Sequence, residues 1–215
     1  MHSPPSDRPG SAPADRRRDR ALLGILTLLA LGVAGYALVT YVPTLFGRAG
    51  GDVAPLPNAR SHPKLLAWHV ISGVVALVAG TMQVLLLARP TPRPTWHRRI
   101  GMVYVVAVAL SGGSGLLLAP SAAGGPAGQL GFALLALLWL GTTGIGVLES
   151  TRGNRAGHRR AMVRSFALTA AAISLRLQLP LSLAIGFEFG QAYPWIAWTC
   201  WVPNLLFAEG WLRRR

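Results

Sequence analysis

Cysteine, lysine and acidic residues are scarce in this sequence of 215 residues. Cys200 is the only cysteine, so the chain can form no internal disulfide and contains no Cys-x-x-Cys pair for zinc. Charged residues make up 13% of the chain, about half the share that is usual in a soluble domain. This shortage of charge excludes an ordinary soluble globular protein.

Sequence motifs of the common soluble enzymes are also missing. The chain has no Walker loop, no Gly-x-Ser-x-Gly nucleophile elbow and no Gly-x-Gly-x-x-Gly phosphate loop. It has no His-x-x-x-His pair, which is the usual start of a catalytic zinc site. The sequence therefore identifies no catalytic residue and leaves open whether the protein is an enzyme.

Long apolar runs are what the sequence does contain, and hydrophobic residues make up 52% of it. A helix of about 20 residues crosses the roughly 30 Å hydrocarbon core of a bilayer. We therefore predict an all-α polytopic membrane protein, a bundle of about six transmembrane helices. The predicted spans cover residues 21–42, 65–88, 100–119, 129–148, 161–185 and 195–212.

The N-terminal residues 1–20 are rich in Pro, Ser, Asp and Arg and show no apolar periodicity. This composition predicts a disordered, basic cytoplasmic tail. The apolar run that follows is too long for a signal peptide and has no cleavage site, so we interpret it as a retained anchor. Residues 21–215 are then a single transmembrane domain.

The net charge of +14 comes from arginine, since Lys64 is the only lysine. Nucleic-acid binding would require a basic face on a soluble domain, whereas these arginines lie in short clusters between apolar runs. With both termini in the cytoplasm, only Arg48, Arg60 and Lys64 fall on the outer side, and Arg176 lies within the membrane. The pattern predicts a multi-pass protein of the bacterial inner membrane that contacts the lipid bilayer and no nucleic acid.

Arg176 lies inside the fifth apolar run, and an ionisable residue at membrane depth is a candidate functional residue. At helical spacing it shares one face with His158, Ser165 and Thr169, so we expect this face to contact protein rather than lipid. Similar polar and small residues line one face of the second and third spans. Pro180, four residues later, predicts a kink that leaves the carbonyl of Arg176 free.

Three histidines are candidate ligands of haem or a metal. His97 and His158 begin the third and fifth spans at one depth, as the two axial ligands of a b-type haem would. His69 could serve a second site, or it could form a hydrogen bond with Gln178, Glu188 or Arg176. The alternative is that His97 and His158 are interfacial residues of basic loops.

Two functional hypotheses follow from these residues. The first is a membrane redox protein associated with haem or quinone. The second is a non-redox transporter or a binder of small molecules or lipids, with a pocket around Arg176; a structural subunit of a larger complex is a further possibility. The candidate pocket-lining residues are Gln83, Tyr104, Ser165, Thr169, Arg176 and Gln178.

Several motifs in order resemble one known family. They include the segments 68–73, 97–101, 158–162 and 200–204. Together they resemble the bacterial predicted membrane proteins grouped as domain of unknown function 2306, over about residues 64–209. The resemblance implies a polytopic membrane protein and brings no activity with it.

Overall fold

The structure is a computed structural model that describes residues 13–45, 61–88 and 93–214. Every regular element in this part of the chain is helical, so the all-α prediction is confirmed. The helices are α1 (Pro13–Leu45), α2 (Pro63–Leu87), α3 (Pro94–Leu118), a 3-10 turn (Ala119–Ser121), α4 (Gly125–Thr151), α5 (Arg155–Thr169), α6 (Ala171–Ala184), α7 (Phe189–Thr199) and α8 (Val202–Arg213).

The first helix begins at Pro13, eight residues before the predicted span. Proline is favoured in the first helical turn, and the Ala- and Arg-rich residues that follow are good helix formers. The predicted disordered tail is therefore helical from Pro13 onward, and residues 1–12 lie outside the described part.

Five stretches are long and apolar enough to cross a membrane, and they coincide with the first five predicted spans. They are residues 21–43, 63–87, 94–121, 125–151 and 155–184. The sixth predicted span consists of α7 and α8, which are separated at Cys200 and Trp201. Neither of these two helices reaches the length of about 20 residues that a crossing needs by itself.

The α2/α3 and α4/α5 hairpins both turn at the same end of the bundle, so the bundle has two distinct ends. The turns between α2 and α3 and between α4 and α5 lie at the end that carries Arg98, Arg99, Arg155 and Arg159, which we name the basic end. The 3-10 turn and the turn at Gly186 lie at the opposite end. Gly186 has a φ of +97°, which is a conformation that favours glycine after a helix.

The helices approach closely where small residues face a neighbour. A Cβ atom placed on Gly80 of α2 would lie 2.8 Å from the Phe166 ring and 3.0 Å from the Tyr104 ring. Close backbone approach at small residues is the usual way in which helices pack in membranes. Gly80 therefore allows α2 to pack against both α3 and α5.

The fifth predicted span is divided into two helices that meet at Ala170, and the kink expected at Pro180 stays a prediction. Pro180 lies inside α6, which continues to Ala184, while α5 ends at Thr169 and α6 begins at Ala171. Pro203 lies in the first turn of α8, where its missing N–H is tolerated. The junction of α5 and α6 at Ala170 thus contains no proline.

Candidate functional site

Tyr104 on α3 anchors a buried cluster of hydroxyl groups between α3, α4 and α5. Its hydroxyl lies 2.6 Å from Ser165 Oγ and 2.7 Å from Thr169 Oγ1. Thr143 Oγ1 lies 2.7 Å from Ser165 Oγ, and Trp139 Nε1 donates to Thr169 Oγ1 over 3.0 Å. All five side chains are buried. Three predicted pocket residues thus meet each other, and no open space separates them.

Trp139 and Thr143 were not predicted as site residues, although both belong to this cluster. They are four residues apart on α4 and therefore share a helix face. The sequence did offer a signal for these two residues, namely a tryptophan and a threonine four positions apart in an apolar run. A buried indole N–H needs an acceptor, so this pattern indicates a polar contact inside the bundle. The cluster joins α4 to the fifth span through side chains.

His69 on α2 is held by the backbone of α3. Its Nδ1 atom lies 2.8 Å from the carbonyl oxygen of Ser111, and Ser111 Oγ donates to the carbonyl oxygen of His69 over 3.0 Å. Gly115 leaves room for the imidazole, since a Cβ atom there would lie 2.8 Å from His69 Cε1. The partner of His69 is therefore Ser111, and the predicted bonds to Gln178, Glu188 or Arg176 do not form among the described residues.

Gln83 and His97 lie together at the basic end. Gln83 Nε2 donates to the carbonyl oxygen of His97 over 2.7 Å, and Gly101 makes room for the amide. Gln83 Oε1 and His97 Nδ1 are both buried and have no hydrogen-bond partner within the described ranges. This pair therefore retains two unused polar atoms.

His158 lies close enough to His97 for a charge on one imidazole to act on the other. His158 Nδ1 is 2.8 Å from the carbonyl oxygen of Gly146, which leaves its Nε2 atom as the available ligand. The space beside the two nearest glycines is occupied, since the Met162 side chain packs on Gly146 and the Gln83 side chain packs on Gly101. The donor atoms suit haem iron, whereas this packing leaves no glycine-lined slot for the macrocycle.

Arg176 on α6 is partly buried, and its guanidinium points back toward the middle of the bundle. Nη1 donates to the carbonyl oxygen of Ala172 over 3.2 Å, one turn nearer the basic end. Nε is buried and has no partner in the described part of the chain. The electrostatic neighbours of the guanidinium include the phenols of Tyr41, Tyr193 and Tyr36 and the imidazole of His69.

No carboxylate of the described residues pairs with Arg176. Glu209 binds Arg164 through two hydrogen bonds, and Glu149 lies 3.6 Å from Arg152. Glu188 caps α7 through a reciprocal capping box with Gln191. The side chain of Asp52 lies outside the described residues. Within the described ranges, Arg176 therefore has polar and aromatic neighbours but no counterion.

Packing fixes the residues around Arg176. Ile173, one turn before it, belongs to a buried cluster with Ala30 and Val33 of α1 and Leu77 of α2. Tyr193 on α7 stacks on Phe189 with a centroid distance of 4.6 Å. The guanidinium thus lies where α1, α6 and α7 meet, about one helical turn beyond the buried cluster around Ile173.

Gln178 binds the end of α7 and lies apart from the other predicted pocket residues. Its Nε2 atom donates to the carbonyl oxygen of Thr199 over 3.1 Å, and its Oε1 atom accepts from Thr199 Oγ1 over 2.7 Å. Pro203 cannot donate to that carbonyl, since it has no N–H. Gln178 replaces this missing bond, and Asn204 donates similarly to the carbonyl oxygen of Cys200.

The remaining candidate features are a metal site and an apolar groove. Among the described residues, no group of three His, Cys, Asp or Glu side chains is placed to hold a metal ion. A groove of about 370 Å³ between α2 and α3 is lined by apolar surface, including Trp68, Val75 and Val106. None of the predicted ligand or pocket residues lines it.

Comparison with known proteins places the chain in a family. No curated protein and no solved structure matches it significantly. A family model described as predicted membrane protein (DUF2306) matches residues 66–212, which is more than half of the chain. The match covers the hydroxyl cluster, the three candidate histidines and Arg176, while α1, which contributes Tyr36 and Tyr41, lies outside it. The chain therefore belongs to the DUF2306 family of predicted membrane proteins.

Proposed function

We propose that this protein binds an anionic group at Arg176 within the membrane, either as a transporter or as a binder of small molecules or lipids. The observation that carries the proposal is the guanidinium whose Nε atom is buried without a partner and which has no counterion among the described residues. A charge at membrane depth is costly unless it is paired. A bound anion would supply the pairing.

The groups around Arg176 favour an acceptor as ligand. A guanidinium has five N–H donors and no acceptor, and within the described ranges Arg176 makes a single hydrogen bond to the backbone. Its electrostatic neighbours include three phenols, which can add O–H donors, and the His69 imidazole. Carboxylate and phosphate groups match such a donor-rich site, because both accept charge-assisted hydrogen bonds from arginine.

The arginine distribution supports a location in the bacterial inner membrane with both termini in the cytoplasm. In that orientation the basic end faces the cytoplasm, and Arg176 lies in the outer half of the bilayer. Reporter fusions at Ser121 and Arg155 test this arrangement. We expect a periplasmic signal at Ser121 and a cytoplasmic signal at Arg155, and the reverse result would contradict it.

Thermal unfolding of the full chain in a neutral detergent tests the binding site. The probes are inorganic phosphate, butyrate and decanoate, with decanol as the uncharged comparison. A ligand at 100 times its Kd stabilises a folded protein by about 2.7 kcal/mol, which corresponds to about 5 °C or more in Tm. We expect at least one anion to raise Tm and decanol to have little effect.

Two matched variants decide whether the effect comes from Arg176. Arg176→Leu should abolish the anion-dependent rise in Tm, while Arg99→Leu should retain it. Arg99 is exposed at the basic end, so its loss changes the net charge by the same amount. If no probe raises Tm, or if both variants respond like the natural protein, the proposal fails and the structural-subunit hypothesis gains support.

A redox function associated with haem or quinone is the second candidate. It is favoured by the electrostatic proximity of His97 to His158 and by the unpartnered Nδ1 atom of His97. Haem iron would supply one-electron chemistry with His97 and His158 as its ligands, and Met162 and Gln83, which fill the space beside the adjacent glycines, would have to move to admit the macrocycle. An absorption spectrum of the purified protein tests this candidate. A Soret band that is lost in His97→Ala would support it, and a colourless folded protein would contradict it.

A further inference from the structure

We infer that the ligand of Arg176 is an amphiphile with an anionic headgroup that enters from the bilayer between α1 and α6. This inference rests on the proposed function and specifies its substrate class. A fatty acid is the simplest molecule with the required chemistry. Its carboxylate would bind the guanidinium, and its acyl chain would lie against the apolar outer faces of the two helices.

The Arg176 side chain points toward the basic end, away from the nearer end of the bundle. Arginines near the end of a membrane helix usually extend toward the nearer interface and keep their charge in water. Arg176 does the opposite, because it reaches back to the carbonyl of Ala172. Its headgroup partner must therefore lie at membrane depth, where an amphiphile can place an anion and a soluble ion cannot easily do so.

The surface beside Arg176 is apolar and exposed. One helical turn nearer the basic end, Ile173 of α6 packs against Ala30 and Val33 of α1 in a buried apolar cluster. At the level of Arg176 the flanking side chains face outward, with Tyr36 60% exposed, Leu177 50% exposed and Leu181 63% exposed. Tyr36 of α1 and Leu177 and Leu181 of α6 thus present exposed, mainly apolar surface beside the guanidinium, and we name this surface the α1/α6 seam.

The groove between α2 and α3 provides an internal comparison. It is also apolar and open to lipid, and it is lined by residues such as Trp68, Val103 and Leu110. None of the described residues that line it is charged. It can therefore hold an acyl chain without distinguishing a charged headgroup from a neutral one, whereas the α1/α6 seam can.

Photolabelling of the full chain in phosphatidylcholine vesicles tests the inference. The probes are a diazirine analogue of palmitate and the corresponding diazirine alcohol, and labelled peptides are mapped by mass spectrometry. We expect the palmitate probe to label α1 and α6 around Tyr36 and Leu177. Arg176→Leu should reduce this labelling about tenfold, the factor that corresponds to one charge-assisted hydrogen bond. Arg99→Leu should not reduce it.

The outcomes distinguish this inference from the proposed function. The inference of an anionic amphiphile is wrong if the alcohol probe labels the seam as strongly as the palmitate probe does. It is also wrong if the palmitate probe labels Trp68 and Val106 more strongly than the seam. If phosphate or butyrate then still raises Tm through Arg176, the anion site stands and only its substrate class is wrong. If no anion acts through Arg176 in either experiment, both the inference and the proposed function fail.

Discussion

The hydroxyl oxygen of Tyr104 lies 2.6 Å from Ser165 Oγ, and this contact joins α3 to α5 inside the bundle. Thr169 donates to the carbonyl oxygen of Ser165, and Thr143 donates to the carbonyl oxygen of Trp139. The four hydroxyls make five contacts with only four hydrogens, so four of these contacts are hydrogen bonds at any one time and the cluster has no spare donor. Its polar groups satisfy each other, which is the condition for burying them at low cost.

Removing the Tyr104 hydroxyl should weaken the fold measurably. We expect Tyr104→Phe to lower the free energy of unfolding by about 1 kcal/mol, because the remaining hydroxyls keep acceptors. In a double-mutant cycle with Ser165→Ala, the coupling energy should be about 0.5 to 1.7 kcal/mol. The measurement is unfolding in a denaturing-detergent titration.

Thr142 on the exposed side of α4 supplies the control for this cycle. Its hydroxyl donates only to the backbone carbonyls of its own helix. Tyr104→Phe and Thr142→Ala should therefore be additive. If Tyr104 and Ser165 are additive as well, their contact does not stabilise the bundle and the cluster is not a structural unit.

Gly115 should resist substitution because the His69 ring occupies the place of its missing side chain. A Cβ atom there would lie 2.8 Å from His69 Cε1 and 3.1 Å from Nδ1. We expect Gly115→Ala to cost about 1 to 3 kcal/mol in the same unfolding assay, since the imidazole must shift away from Ser111.

Gly113, two residues earlier on α3, is the matched control. A Cβ atom there would meet no heavy atom within 4 Å. Gly113→Ala should be neutral or should stabilise the helix by up to about 1 kcal/mol, as alanine has the higher helix propensity. A similar loss of stability in both variants would show that His69 does not pack on Gly115 as described.

Gln178 and Pro203 should be energetically coupled. Gln178→Leu leaves the Thr199 carbonyl without its side-chain donor, so we expect a loss of about 1 to 2 kcal/mol. Pro203→Ala restores a backbone N–H four residues after Thr199. The double variant should therefore recover part of the lost stability. Equal losses in the single and double variants would mean that the Thr199 carbonyl does not need this donor.

The helical content and five of the spans could be predicted from the sequence, because long apolar runs have one stable form in a bilayer. The face that carries Ser165 and Thr169 was also predicted, since it follows from helical periodicity. Periodicity gives the direction of a side chain relative to its own helix. It does not give the residue on the neighbouring helix, which is why Ser111 was not predicted as the partner of His69.

The positions of the helix breaks could not be predicted for a different reason. Pro180 lies within a helix, while the break at Ala170 has no proline. The side chain of Asn204 contacts the chain near two helix boundaries. Its Nδ2 atom donates to the carbonyl oxygen of Ala167, near the junction of α5 and α6, and to that of Cys200, between α7 and α8. These contacts depend on tertiary packing, which a proline pattern does not contain. The predicted pocket was likewise divided, because Tyr104 and Arg176 face different neighbours.

The central claim is that an anion binds the Arg176 guanidinium, and nitrogen NMR of arginine-labelled protein in neutral detergent micelles tests it most directly. The Arg176 side-chain signal is assigned by its absence in Arg176→Lys and is followed during titration with decanoate. The account predicts a saturable shift of this signal, with the Arg99 signal unchanged. An Arg176 signal that stays in place while decanoate fills the micelles would contradict it.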